Sequence, residues 1–306
     1  MSQGTDFGKV GVLYGGRSAE REVSLMSGSG VHAALRECGV DAHLFDTGRQ
    51  TLAELAAAGF ARVFIALHGR WGEDGTIQGA LELLGIPYTG SGPAACALAM
   101  DKIMTKRLWL QHGLPTPRFA ELHASDGMVE MPDSLGLPLI VKPSHEGSTL
   151  GLTRVNSAAS LPGAYELAAR YDESVLAEEF IAGRELTVAV LGGKHDAHAL
   201  PIVEIVAPGG NYDFNSKYYS DETRYLCPAQ LPAALAEHVQ RISVEAYRAV
   251  GCEGWGRVDV MLDTGNKPFL LEVNTSPGMT GHSLVPMAAK AAGMSYPELC
   301  LDILRT

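Results

Sequence analysis

The sequence predicts an α/β protein of more than one domain. Three observations carry that expectation. Apolar strand-like runs alternate with helical patterns near the N-terminus, and the chain is 306 residues long. Near the C-terminus, two further strand-like runs carry acids on a common face. Alternating strands and helices build a parallel layer, and the length leaves room for a substantial core in more than one domain.

Lys9–Tyr14 reads as an apolar strand ending at Gly15-Gly16, with a helical pattern from about Ser18. Val40–Phe45 and Arg62–Leu67 are further strands, with a helix at Leu52–Ala58 between them. Ile86–Gly90 reads as a short strand leaving this layer, and Ser91-Gly92-Pro93 suits a boundary. The pattern from Ala94 to Gln111 is helical. The second unit begins near Thr116, with strands at Leu139–Lys142 and Val175–Ile181, the latter ended by Ala182-Gly183. The third opens with the strand Glu185–Leu191, carries a polar and aromatic loop at Asn211–Thr223, and has a helix from about Pro232 to Val250. Domain limits of 1–93, 94–183 and 184–306 follow. Leu284–Leu304 closes the chain as mostly helix.

Between the last helices lie Gly254–Asp259 and Leu270–Asn274, separated by the turn formers of Leu262–Pro268. They read as an antiparallel hairpin. Alternate side chains of a strand share a face, so Arg257 aligns with Asp259 and Glu272 with Asn274. Val258, Val260, Leu271 and Val273 are expected on the other side. Two carboxylates and an amide are hard oxygen ligands, and they suit Mg²⁺ shared with phosphates and water. An ion-pair network with Arg257 and Lys267 is the alternative.

Composition bounds the function. The chain is 46% hydrophobic and 19% charged, ordinary for a globular protein, and its net charge of −11 argues against a nucleic-acid surface. No apolar run approaches the roughly 20 residues that cross a bilayer, and the N-terminal residues lack a signal-peptide pattern. Five cysteines without Cys-x-x-Cys spacing suggest reduced thiols in a cytoplasmic protein; none is assigned a role.

Gly15-Gly16-Arg17-Ser18, between strand and helix, is either an anion-facing turn or a plain tight turn. It is neither a dinucleotide fingerprint nor a P-loop. His68 follows a buried strand of the parallel layer, where ligands bind. His195 and His198 lack a third ligand and read as structural. Lys142 ends a strand just before Glu146–Gly151, a glycine-rich segment whose amides can close over phosphates.

In order along the chain, Leu13–Ser24, Ala66–Gly75, Tyr88–Gly92, Met100–Lys102, Val141–Pro143, Glu146–Ser148, Lys217–Glu222, Gly254–Asp259 and Asn274–Pro286 resemble the D-alanine–D-alanine ligases of the ATP-grasp superfamily. The resemblance covers essentially the whole chain. It implies a three-domain ATP-grasp architecture with an N-terminal parallel α/β domain. It also implies ligation of two D-alanine molecules through an acyl phosphate, for peptidoglycan synthesis in a bacterial cytoplasm. Asp259, Glu272 and Asn274 would hold two Mg²⁺ ions, with Mn²⁺ a possible substitute. Lys102 and Lys142 would contact the ATP phosphates, Glu178 and the Phe180-Ile181 backbone the adenine, and Glu185 the ribose. Glu179 stands where several relatives have Lys, so a side-chain contact there is not carried over.

By the same resemblance, Glu20 would take the ammonium of the first D-alanine. His68 would orient that substrate, and Ser148 and Tyr218 would form a hydrogen-bonded group with Glu20. Arg257 and the Gly278 N–H would stabilise the tetrahedral oxyanion, and Ser283 and Leu284 would receive the second substrate's carboxylate. Lys217 and Tyr218 would lie on the mobile ω-loop. A homodimer is implied, with no nucleic-acid or membrane partner. The alternatives are a D-alanine–D-lactate or D-alanine–D-serine ligase of the same superfamily, or a nucleotide or amino-acid sensor without turnover.

Overall fold

The computed structural model describes residues 7–125, 128–147, 150–206 and 223–306. Ser148, Lys217, Tyr218 and all of the expected ω-loop except Thr223 lie outside them. Strands β1 (Lys9–Tyr14), β2 (Asp41–Asp46) and β3 (Arg62–Ile65) form a parallel sheet in the order β2-β1-β3. The central strand is apolar on both sides because both sides are covered. Val10 and Val12 face α1 (Arg21–Glu37), whereas Leu13 packs with residues of α2 (Leu52–Ala57) and α3 (Thr76–Leu84). The strand expected at Ile86–Gly90 is reduced to one parallel bridge between Val63 and Tyr88. Pro87 has no N–H to extend the ladder, and Gly90 turns away at φ 91.

The Gly15-Gly16 turn is held by contacts within the first layer. Arg21 donates to the Gly16 carbonyl at 2.7 Å and grips Asp46 through both guanidinium nitrogens, at 2.9 and 2.6 Å. A Cβ on Gly15 would stand 2.5 Å from Asp46 Oδ1, so the ion pair packs directly against the turn.

The helical stretch expected from Ala94 to Gln111 is made of two helices, α4 (Pro93–Met100) and α5 (Lys102–Gln111). Asp101 separates them at ψ 97 and accepts the Met104 N–H at 3.0 Å, capping the second helix. Next comes an antiparallel sheet in the order β4-β9-β7-β8, made of β4 (Phe119–Leu122), β7 (Leu139–Pro143), β8 (Thr153–Val155) and β9 (Val175–Glu179). A ribbon of β5 (Ala124–Ser125) and β6 (Met128–Val129) precedes β7, and α6 (Leu161–Ala169) covers one face of the sheet.

The third sheet runs β13-β12-β10-β14-β15, with β11 (His198–Ala199) beside the end of β10 (Gly183–Leu191). Its remaining strands are β12 (Val203–Val206), β13 (Arg224–Leu226), β14 (Trp255–Asp263) and β15 (Pro268–Asn274). Leu186, Val188, Val190, Val258 and Val260 face α7 (Ala233–Val250), α4 and α5 in one core. The expected hairpin is present, with one shift. A bulge between the Asp259–Glu272 and Val260–Leu270 pairs leaves Leu271 unmatched. Leu270, not Leu271, therefore joins the buried face, while Glu272 keeps its place opposite Asp259.

The closing helices α8 (Leu284–Ala291) and α9 (Tyr296–Arg305) return to the first layer. Val285, Ala288, Leu299 and Ile303 share a core with Val31 and Leu35 of α1, joining the chain's two ends across the same face that carries Ala189 and Val203. No described helix is long and apolar enough to cross a membrane.

Candidate active site

The polar face of the third sheet builds the centre. Thr187 pairs with Asp259, Asp259 with Glu272, and Arg257 with Asn274, so their side chains converge. Asp259 is nearly buried, and a buried carboxylate needs partners. It accepts from Thr187 Oγ at 2.6 Å, from Arg257 Nε and Nη2 at 2.9 and 2.8 Å, and from Asn274 Nδ2 at 3.2 Å. Lys102 reaches in from the start of α5, with Nζ 3.5 Å from Glu272 Oε2. The same Nζ donates to the Glu146 carbonyl at 2.8 Å and the Ser144 carbonyl at 3.4 Å, tying the glycine-rich segment to the hairpin.

Beside this centre lies a buried charge cluster. Lys142 and Glu178 share a face of the second sheet, and Lys142 Nζ is 2.5 Å from Glu178 Oε1. Lys106, one helical turn beyond Lys102, is fully buried; its Nζ lies 2.8 Å from Glu178 Oε2 and donates to Thr116 Oγ1 at 2.7 Å. Burial alone would push the Glu178 carboxyl up, but the two ammonium groups hold it at about 2. Burial likewise opposes the charge on Lys142, and Glu178, then Glu272, more than offset it, so its pKa is raised. Both carboxylate oxygens of Glu178 are thus held by ammonium groups, Oε1 by Lys142 and Oε2 by Lys106.

Glu185 stands two residues before Thr187 on the same face of β10, half-buried. Phe180 and Ile181 follow β9; the Phe180 N–H donates to the Pro138 carbonyl at 3.2 Å. Glu179 turns the other way, paired with Arg118 at 3.1 Å, so a nucleotide contact from its side chain would break that pair. His198 is exposed, with Nδ1 3.2 Å from the Asp196 carbonyl.

A cavity of about 360 Å³ opens over the hairpin. Glu20, His68, Arg257, Asp259, Glu272 and Asn274 line it, together with Gly278, Ser283 and Leu284. Nine residues singled out in the sequence thus meet in one space. Glu20 is the N-cap of α1, and its carboxylate lies so near Gly69 that a Cβ there would sit 2.8 Å from Oε2. Ser18 Oγ donates to the His68 carbonyl at 2.7 Å, fixing the two loops together.

His68 has both ring nitrogens committed. Ser27 Oγ accepts the Met279 N–H at 3.1 Å, so its own proton points to His68 Nε2 at 2.9 Å. Nδ1–H then donates to the Ser276 carbonyl at 2.9 Å. Burial lowers the His68 pKa, against the raising effect of Glu20, in keeping with this neutral tautomer. His68 therefore shapes the cavity wall through Ser27 and the 276–279 turn. In that turn, a Cβ on Gly278 would stand 2.8 Å from Ser283 Oγ. Ser283 precedes α8 with its Oγ accepting the Thr280 N–H at 2.9 Å, so the first-turn N–H groups of α8 are left without a side-chain cap, a natural carboxylate seat.

Sequence reading missed several members. Glu73 lines the cavity and accepts the Gly69 N–H at 3.0 Å; burial and the nearby Glu20 charge push it up to about 8. Lys106 was legible only as the residue four beyond Lys102, on the same helix face. Among the described residues, no three His, Cys, Asp or Glu side chains are grouped for a metal. The hairpin offers two carboxylates and an amide, an incomplete set of the kind phosphate oxygens and waters complete around Mg²⁺.

Residues 108–305 match the family described as D-ala D-ala ligase C-terminus, and residues 46–91 match D-ala D-ala ligase N-terminus. The D-alanine–D-alanine ligase of Bordetella petrii is 70% identical over 297 residues, covering 97% of this chain and 91% of its own. That of Bordetella pertussis is 71% identical over 298 residues, covering 97% and 94%. The solved D-alanine–D-alanine ligase of Bacillus anthracis complexed with ATP superposes with a TM-score of 0.84 at 35% identity, covering 97% of this chain and 96% of that one.

Proposed function

The chain belongs to the D-alanine–D-alanine ligase family, and we propose that it joins two D-alanine molecules into D-alanyl-D-alanine as ATP is cleaved to ADP and phosphate. The fold is the three-domain ATP-grasp architecture. The observation that carries the reading is the single cavity in which Glu20, Arg257 and Ser283 face the acids of the hairpin.

The first D-alanine docks with its ammonium toward Glu20 and its carboxylate toward the hairpin. Its carboxylate oxygen attacks the γ-phosphorus, ADP leaves, and an acyl phosphate forms. The second D-alanine, its carboxylate at Ser283 and the Leu284 N–H, attacks the acyl carbon through its amine. Arg257 and the Gly278 N–H stabilise the oxyanion, phosphate departs, and the amine proton is released. Catalysis here is positioning and charge stabilisation. Lys102 and Lys142 hold phosphate oxygens, Glu178 the adenine amino group, and Glu185 the ribose. The Ile181 N–H and Phe180 carbonyl serve the adenine edge, since the Phe180 N–H is bonded to Pro138. Asp259, Glu272 and Asn274 would hold two Mg²⁺ ions, which neutralise charge on the transferring phosphoryl group. Roles for Ser148, Lys217 and Tyr218 rest on their sequence motifs: the first and third bonded with Glu20, and the last two covering the site against water.

Domain limits near 93 and 183, a homodimeric assembly, and a bacterial cytoplasmic role in peptidoglycan synthesis belong to the same reading. The test is product analysis with ATP, Mg²⁺ and a mixture of D-alanine, D-lactate and D-serine near neutral pH. D-alanyl-D-alanine with matching phosphate release is expected. A D-lactate or D-serine product would overturn the substrate assignment, and ATP binding without ADP formation would overturn the ligase reading.

A further inference from the structure

We propose that His145 is a positioning residue of the ligase reaction: an imidazolium hydrogen-bonded to Asp172 and ion-paired with Asp101 that holds the 144–146 segment closed for ATP. The inference rests on the ATP-ligase reading above. His145 Nδ1 lies 2.8 Å from Asp172 Oδ2, and the His145 backbone N–H donates to the same oxygen at 2.7 Å. On the other side of the ring, Nε2 lies 3.4 Å from Asp101 Oδ2. Both nitrogens thus face carboxylate oxygens. A neutral imidazole has one N–H and one lone pair, so either tautomer would turn a lone pair on a carboxylate. Only the imidazolium satisfies both contacts.

The segment held this way is the one Lys102 uses. Ser144 Oγ donates to Asp101 Oδ1 at 3.0 Å, and the Ser144 N–H donates to the Ser174 carbonyl at 2.9 Å. Lys102 Nζ donates to the carbonyls on either side of His145, those of Ser144 and Glu146. Asp101 precedes α5 and Asp172 follows α6, so the histidine joins two elements across the segment's base. The other charged groups around the segment are Lys102 and Glu146, with Arg70 Nε donating to Glu146 Oε1 at 2.7 Å and Arg70 Nη2 to the Tyr171 carbonyl at 3.2 Å. The hydrogen bond to Asp172, opposed by partial burial and helped by the charges of Asp172 and Asp101, raises the His145 pKa. The ring is therefore charged through mildly acidic pH and loses its proton as pH rises past that raised value.

The test is ATP affinity, measured by calorimetry with Mg²⁺ and no D-alanine, on the full chain from about pH 6 to 9. If the neutral ring leaves the closed segment about a tenth populated, ATP binds about tenfold more weakly. Wild type should therefore weaken several-fold across the range. His145→Gln should bind about tenfold more weakly than wild type at about pH 6, with KM for ATP raised and kcat within about twofold, and its flat profile should meet the wild-type one as pH rises. His145→Arg, permanently charged, should bind tightly with little pH dependence. Wild-type affinity in His145→Gln at about pH 6, or a flat wild-type profile, would overturn the inference, and the second needs no variant. Failure to form dipeptide while ATP binding follows this pattern would instead sink the ligase reading.

Discussion

Replacing Glu178 by Gln removes the one negative charge held directly between Lys106 and Lys142. The side chain keeps its shape, so the effect is electrostatic. Glu178 is held at about 2 against an ordinary value of 4.5. At about 1.4 kcal/mol per pH unit, that corresponds to about 3 kcal/mol of stability near neutral pH, matching the roughly 3–5 kcal/mol expected for breaking a buried pair. For a chain of this size the melting temperature should fall by about 5 °C. Because the folded pKa is depressed, the contribution is complete above about 4.5 and disappears as pH falls toward 2. The assay is scanning calorimetry of wild type, Glu178→Gln and the double variant with Lys106→Met. The gap between wild type and Glu178→Gln should narrow steadily below about pH 4.5. The double variant should melt above Glu178→Gln, since it removes one orphaned ammonium. Melting of Glu178→Gln within about 1 °C of wild type near pH 7, or additive losses in the double variant, would refute the reasoning.

Asp259→Asn should lower kcat about 100- to 1,000-fold and raise the Mg²⁺ concentration for half-maximal rate, read by ADP release under saturating D-alanine. Gly69→Ala places a Cβ at φ 68 and 2.8 Å from Glu20 Oε2; KM for D-alanine should rise about tenfold with KM for ATP little changed. Glu73, held near 8 chiefly by burial and Glu20, keeps a proton that the unfolded chain loses near 4.5. Stability therefore falls as pH rises between those values. Glu73→Gln should accordingly melt close to wild type at about pH 5 and several degrees above it at about pH 9.

Much of the fold was legible where side-chain period decides structure. β1 is continuously apolar because helices cover both faces, and the hairpin alternates because one face is core and the other polar. The bulge was not legible, because one extra residue leaves the pattern readable in either register until Leu270 meets the core. Nor was the helix break at Asp101, although a capping residue there was a usable signal. Lys106 reads as a surface lysine by type, and the approach of Glu178 from a distant strand, with Thr116 as a second partner, makes its burial tolerable. The commitment of His68 was equally invisible, since its partner Ser276 is 208 positions away. Local chemistry pointed to the hairpin acids, His68 and Lys142, and the family resemblance supplied the other candidates; long-range pairing decides which of their atoms are already committed.

The most direct test of the central claim follows oxygen. D-alanine labelled with oxygen-18 in its carboxylate would be incubated with the enzyme, ATP and Mg²⁺, and the released phosphate and dipeptide analysed by mass spectrometry. If the first carboxylate attacks the γ-phosphate, one labelled oxygen passes to each phosphate released, and the dipeptide amide carbonyl keeps the other. Unlabelled phosphate accompanying D-alanyl-D-alanine would contradict the acyl-phosphate route and the arrangement of Glu20, Arg257 and the hairpin acids argued to support it.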